Sequence, residues 1–155
     1  MKKVIIILLL SLSFASCAKI DLFEKQANIP GQKWFYDNVP SFTFNITDTV
    51  SLYNVYIVLR HTDSYNYNNV WLQLGSKVPG DTMHFQNINL NLASDAGGWE
   101  GTGTDDIFDV RKLITPGPVP FKKAGNYTFT ISQIMRENPL KNVLSVGLRI
   151  EKIKE

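Results

Sequence analysis

The sequence predicts an all-β fold in which two antiparallel sheets pack face to face as a jelly-roll or Greek-key sandwich. Three observations predict it. Apolar side chains alternate with polar ones in short runs along most of the chain, which is the period of a strand with one buried face. Clusters of Gly, Pro, Asn and Asp separate the runs and favour turns. No stretch keeps a helical period for more than about two turns.

The strands follow in order. Phe42, Phe44 and Ile46 alternate with Ser41, Thr43, Asn45 and Thr47, giving one apolar and one hydroxylated face. Leu52 to Arg60 is apolar on both faces, as expected of a central strand covered on both sides. Val70, Leu72 and Leu74 form the next run, the turn Pro79-Gly80-Asp81 closes it, and Met83 to Leu92 follows, where Ile88, Leu90 and Leu92 alternate with asparagines. A Gly-rich loop spans Ala96 to Asp106. The short segment Ile107 to Ile114 fits more than one element type, and Thr115-Pro116-Gly117-Pro118 breaks the chain after it. Tyr127, Phe129 and Ile131 then resume the alternation. Beyond the Asn138-Pro139 turn, Leu144, Val146, Leu148 and Ile150 complete it.

Ahead of these strands, Lys2 and Lys3 precede the apolar run Val4 to Leu12, and Phe14-Ala15-Ser16 leads to Cys17. Basic, apolar and small residues in that order are the pattern of a secretory signal peptide, and the apolar run is about half the length needed to span a bilayer. A cysteine directly after Ala15-Ser16 resembles the lipobox of bacterial lipoproteins. Residues 1–16 are therefore expected to be a cleaved signal peptide, residues 17–32 a tether lipid-anchored through Cys17, and residues 33–155 the β-sandwich domain.

Composition narrows the function. Removing Lys2 and Lys3 from sixteen basic side chains leaves fourteen against fourteen acidic ones, so the mature chain is near neutral and carries no footprint for nucleic acid. Cys17 is the single cysteine, and with lipid on it no thiol remains for a disulfide, a nucleophile or a metal. His61 and His84 stand in no nucleophile motif. Asp95, Asp105, Asp106 and Asp109 cluster around the long loop, where acidic residues are ordinary turn formers and a calcium ion is the alternative. Gly97 to Gly103 lacks the Lys-Ser/Thr and the following helix of a phosphate loop, so its glycines are expected to shape the chain around Trp99, which either caps the sandwich or stands exposed. Trp71, Trp99, Tyr65 and Tyr67 could form a platform for sugar rings, the pattern of a glycan-binding lipoprotein. No catalytic residue and no cofactor is indicated.

Three blocks carry a family resemblance: Leu59-Arg60 through Tyr65 and Asn69; Asp81-Thr82 through Gly98-Trp99-Glu100-Gly101-Thr102-Gly103; and Gly125-Asn126-Tyr127 through Gln133-Ile134-Met135-Arg136 and Val146-Gly147-Leu148-Arg149-Ile150-Glu151. They resemble the GldH family of gliding-motility lipoproteins of Bacteroidetes across nearly the whole mature domain. The resemblance implies a non-enzymatic envelope lipoprotein whose partners are other proteins of the gliding apparatus and the type IX secretion machinery. Ala18-Lys19-Ile20-Asp21 lacks the acidic run that looks like a surface-export signal in these bacteria, which favours the periplasmic face of the outer membrane. Arg60, Tyr65, Trp99 and Arg136 gather at strand ends and loops, and as Arg, Tyr and Trp they are the residue types of interface anchors; they are the expected partner surface, the alternative being that each arginine pairs with a nearby carboxylate or stacks on a ring to hold the loops. Asp48-Thr49-Val50 and Asp81-Thr82-Met83 fit the Asp-Thr-apolar pattern that Bacteroidetes use for O-glycosylation, making Thr49 and Thr82 candidate acceptors beside the simpler reading of strand-edge turns.

Overall fold

The computed structural model describes residues 21–153; the expected signal peptide, residues 1–16, and Cys17 lie outside the described residues. Alternation places the first sheet. Strand β3 (Ser41–Ile46) buries Phe42, Phe44 and Ile46 and turns Ser41, Thr43 and Asn45 outward. Strands β10 (Gly125–Gln133) and β5 (Asn69–Lys77) bury Tyr127, Phe129, Ile131, Val70, Leu72 and Leu74 on the same side. With β6 (Met83–Asn91) at the edge, the order is β3-β10-β5-β6, antiparallel throughout.

The second sheet is built around β4 (Leu52–Thr62) and β12 (Val143–Lys152). Strand β1 (Asp21–Asn28) flanks β12, and β8 (Ile107–Leu113) flanks β4, with β7 (Thr102–Thr104) outside β8. A short β9 (Val119–Pro120) pairs with the start of β4. A separate ladder joins β2 (Lys33–Trp34) to β11 (Leu140–Lys141). The expected central position of residues 52–60 is the observed one, between β12 and β8.

The inner faces of the two sheets share one core. Phe23 of β1 lies 5.3 Å from Phe44 of β3, and Phe121 bridges Phe44 and Tyr53 at 5.6 and 5.3 Å. Ile57, Leu59, Leu72, Ile131 and Leu148 are fully enclosed between them, each contributing roughly 1.5–3 kcal/mol by burial. The all-β sandwich expected from alternation is the observed fold class.

Two segments differ from expectation. The tether drawn over residues 17–32 is, from Asp21 onward, part of the fold: β1 pairs with β12 from Asp21↔Glu151 to Asn28↔Ser145, and Pro30–Gln32 forms a single 3-10 turn with Gly31 at φ 59°. Hydrogen bonding to an exposed edge of β12 overrides the polar composition of the segment. The Gly-rich loop likewise contains β7, whose approach to β8 depends on Gly101: a Cβ there would stand 2.2 Å from the Asp109 carbonyl oxygen. Residues 107–113, open in the sequence, are strand β8.

Candidate functional site

The central strand β4 has two chemical faces. Period two sends Leu59 and His61 into the core and Arg60 and Thr62 outward. Antiparallel register sets Arg60 opposite Asp109 of β8. Their side chains meet as a fork, Arg60 Nε donating to Asp109 Oδ1 at 2.7 Å and Nη2 to Oδ2 at 2.9 Å. The Asp109 hydrogen bond, reinforced by its charge, raises the Arg60 pKa further above its already high ordinary value. Both side chains are more than a third exposed, so the pair adds little to stability, and Arg60 stays available to solvent.

Further along the same outer face, Arg149 of β12 is only 5% exposed and donates to Glu24 of β1, its direct cross-strand neighbour, with Glu151 3.5 Å away. Arg111 of β8 stands 4.0 Å from Glu24. Between these charges lies Gly147, where a Cβ would meet the Lys25 carbonyl oxygen at 2.6 Å. The result is a depression of about 420 Å³ bordered by Glu24, Gln26, Arg60, Asp109 and Arg111. It offers a partner exposed guanidinium groups and carboxylates in alternation.

The inward side of β4 ends in an aromatic cluster. His61 is fully buried, with ring centroids of Trp99, Tyr65 and Phe108 at 4.6, 5.4 and 5.8 Å. Burial lowers its pKa, partly offset by the bond between Nδ1 and the Thr62 carbonyl at 2.8 Å, so the ring stays neutral. Nδ1–H donates to the Thr62 carbonyl, leaving Nε2 as an acceptor without a partner in the structure. Trp99 belongs to a loop folded by Ser94 N to Gly98 O at 2.7 Å and Glu100 N to Leu92 O at 2.8 Å, and it caps the sandwich end, one of its two expected roles.

The four expected partner-surface residues do not share a surface. Tyr65 and Trp99 are neighbours, 6.2 Å apart, but Tyr65 is 3% exposed and its hydroxyl donates to the Asn69 carbonyl at 3.1 Å. The loop folds Tyr65 into the core, so it presents nothing to a partner, and burial raises its pKa. Arg60 lies on the opposite side of β4 from this cluster. Arg136 is exposed beyond the end of β10, on the other sheet. What holds that end is Gln133: its Nε2 donates to the carbonyls of Trp34 and Glu137 at 3.2 and 3.3 Å, and its Oε1 accepts from Met135 N at 2.8 Å. The sequence block Gln133-Ile134-Met135-Arg136 is thus anchored by its glutamine.

The four-ring sugar platform is not formed either. Tyr65 meets Tyr67 at 70° and Trp99 at 60°, and Trp71 stands apart on the outer face of β5. Thr49 and Thr82 both sit in turns next to strands. Asp48 closes the first turn by accepting from Val50 N, Ser51 N and the Ser51 hydroxyl, and Asp81 accepts from Thr82 N in the second. Of the loop acids, Asp109 is engaged by Arg60, and among the described residues no three metal-ligating side chains converge. The buried Arg149 and Gln133 were not singled out in the sequence; the signal for both is a polar residue at a position where strand alternation demands burial or close pairing.

A family model described as GldH lipoprotein matches residues 21–150, the span from β1 to the end of the core positions of β12. A "Gliding motility lipoprotein GldH homolog" of Christiangramia forsetii is 28% identical over 146 residues, covering 90% of this chain and 88% of that one. A "Gliding motility lipoprotein GldH" of Flavobacterium johnsoniae is 29% identical over 153 residues, covering 94% of each chain. The crystal structure of the infectious bursal disease virus VP2 subviral particle aligns with a TM-score of 0.32 and 14% identity over 84% of this chain and 30% of that one, a likeness too slight to bear on the fold.

Proposed function

Because this chain belongs to the GldH lipoprotein family, we propose that it is an envelope lipoprotein of the gliding-motility and type IX secretion machinery, acting without catalysis by binding another protein of that machinery. The observation that carries the reading is the family match across the whole sandwich, joined by two full-length relatives named for gliding motility. A binding role is supported by the chemistry of the outer face of β4 and β8, where Arg60, Asp109 and Arg111 border a depression that offers a partner exposed charges of both signs. Acylation of Cys17 supplies the membrane anchor, and the absence of an acidic run after it supports the periplasmic side of the outer membrane. Labelling with an alkyne fatty acid tags the wild type and not Cys17→Ser if that anchor is real.

The partner contact is tested with a photo-crosslinking residue at position 111 and, as control, at position 87 on the other sheet. A discrete envelope protein captured from position 111 alone, and lost on Arg60→Ala, is the expected outcome. Equal capture from both positions, or none, counts against the reading.

A second reading, neutral-glycan binding, is favoured by one observation. The outward positions of β3, β10, β5 and β6 carry Ser, Thr, Asn and Gln around Trp71, and Lys77 is their one charged side chain. Titration with cellohexaose and maltohexaose, read by Trp71-dependent fluorescence, decides it. Thr82, the more exposed of the two turn threonines, is the favoured O-glycan acceptor over Thr49, and the intact mass of envelope-purified protein tests that assignment.

A further inference from the structure

The pole of the sandwich nearest Cys17 has a surface chemistry of its own. Only Ala18, Lys19 and Ile20 separate Cys17 from the first residue of β1. Four residue steps reach at most about 14 Å. Asp21 is paired with Glu151, and Glu151 with Asn54, so β1, β12 and β4 all bring this end of the sheet to the same level. One pair further lie Tyr53↔Val119 and Leu52↔Pro120.

Two features occupy that level. The turn between β3 and β4 projects Val50, 87% exposed, and Leu52 follows it at the start of β4, also exposed. An exposed valine on a floppy turn would mean nothing. This turn is fixed, because Asp48 accepts from Val50 N at 3.0 Å, from Ser51 N at 3.1 Å and from Lys152 Nζ at 2.6 Å, tying it to β12. Those same bonds hold the Asp48 pKa well below the usual carboxylate range, so the clasp stays charged. Beside it, a depression of about 390 Å³ is lined by Val78, Val119, Pro120 and Phe121, with Lys122 and Lys123 and the single carboxylate of Asp81 at its rim.

We propose that this pole, with Val50 and Leu52 foremost and Lys122 and Lys123 at its rim, rests on the phospholipid surface into which Cys17 is anchored. The proposal rests on the lipidation of Cys17. A short anchor leaves the pole within reach of the headgroups, apolar side chains on a rigid turn enter the interfacial zone, and the two lysines meet phosphate. Trp99 and its loop, at the opposite end of β4, then point away from the membrane.

The test places one cysteine at a time, Val50→Cys or Ser94→Cys, in the acylated full mature chain, where the Cys17 thiol is blocked. An environment-sensitive fluorophore on each is read in vesicles of phosphatidylethanolamine and phosphatidylglycerol with brominated acyl chains. The expected result is a blue shift and several-fold stronger quenching at position 50 than at position 94, weakened by Lys122→Glu with Lys123→Glu. Equal quenching at the two positions, or none, overturns the proposal, as does shielding of position 50 that rises with protein concentration in the absence of vesicles and so marks a second copy. Failure of the anchor itself is read separately, as a missing acyl mass on the N-terminal peptide and a chain that does not stay with the vesicles.

Discussion

The outer faces of the two sheets solve the same problem with different chemistry. Outward positions of β1, β12, β4 and β8 carry Glu24, Arg149, Glu151, Arg60, Asp109 and Arg111, with Glu24 matched to Arg149 and Arg60 to Asp109 across strands. Outward positions of β3, β10, β5 and β6 carry amides and hydroxyls that bond sideways instead, Thr43 to Thr128 at 2.8 Å, Asn45 to Asn126 at 2.8 Å and Asn69 to Asn89 at 2.7 Å. Most polar groups on both faces find partners, Asn54 Oδ1 and Thr62 Oγ1 of β4 being exceptions, so the fold itself needs neither pattern in particular. The inner faces make the sandwich; the outer faces record what each sheet meets. Each sheet also holds a buried polar side chain that gathers several partners, Arg149 on the outer face of the charged sheet and Gln133 on the inner face of the amide sheet, and these are where the comparison is most easily broken.

The largest effect is expected at Arg149. Replacing it with alanine removes the cation that Glu24 and Glu151 share, leaving Glu24 with Arg111 at 4.0 Å, and breaking a partly buried pair of this kind costs about 3 kcal/mol. For a domain of this size that lowers Tm by roughly 10 °C. A thermal melt of Arg149→Ala within a few degrees of wild type would show that the charged face does not stabilise the sheet. Gln133→Ala is next. It leaves the carbonyls of Trp34 and Glu137 and the Met135 amide without their side-chain partner, at about 2 kcal/mol. Chemical denaturation should show the loss, whereas Ser132→Ala, one residue away on the outer face, should be near neutral.

Acid separates the sheets further, because the buried titrating ring, His61, belongs to β4 of the charged sheet. Its folded pKa is lowered by burial, so folding disfavours the imidazolium. The sign is that of a depressed group: stability is full above the ordinary histidine pKa of about 6.5 and is lost as pH falls through the folded value. Melting between pH 7 and 5 should fall more steeply for wild type than for His61→Phe. Parallel pH profiles would remove His61 from the account.

How much of this could be read from the chain depends on sequence distance. Strands β3, β5 and β10 alternate cleanly, and their inner apolar residues are buried, whereas β12 alternates in sequence but is covered on both faces, Ser145 and Arg149 being buried as Val146 and Leu148 are. Strand β1 hides because its inner side is Phe23, Lys25 and Ala27; a lysine on an edge strand breaks the apolar period while keeping the edge soluble. The aromatic and arginine residues were visible as a set, but their placement was not. Whether Arg60 faces Asp109 is a matter of register between strands 49 residues apart, and a one-residue slip would reverse it. Tyr65 is taken inward by a loop whose fold depends on Asn69 accepting its hydroxyl. Gln133 was visible as part of a family block, but its function as a clamp appears only once Trp34 lies beside it.

The smallest effects on stability are expected at Arg60 and Trp71, and there the two faces divide by function. Arg60 is exposed and its fork to Asp109 is an exposed pair, so Arg60→Ala should cost no more than about 1 kcal/mol. Trp71 is 44% exposed among Asn89, Gln73 and Asn69, whereas the still more exposed Phe85 lies across Gly75, where a Cβ would come within 3.0 Å of its ring. Phe85 therefore has a packing reason to be aromatic, and no comparable contact accounts for Trp71. Trp71→Ala should likewise shift Tm by only a few degrees. Near-native melting makes the binding readouts of both variants interpretable. Loss of crosslinking from position 111 in Arg60→Ala alone places protein recognition on the charged face. Loss of oligosaccharide binding in Trp71→Ala alone places glycan on the amide face. If each variant impairs both, the faces are not separate surfaces; if neither impairs anything, neither face carries recognition, and the contrast between them reflects solubility and edge protection alone.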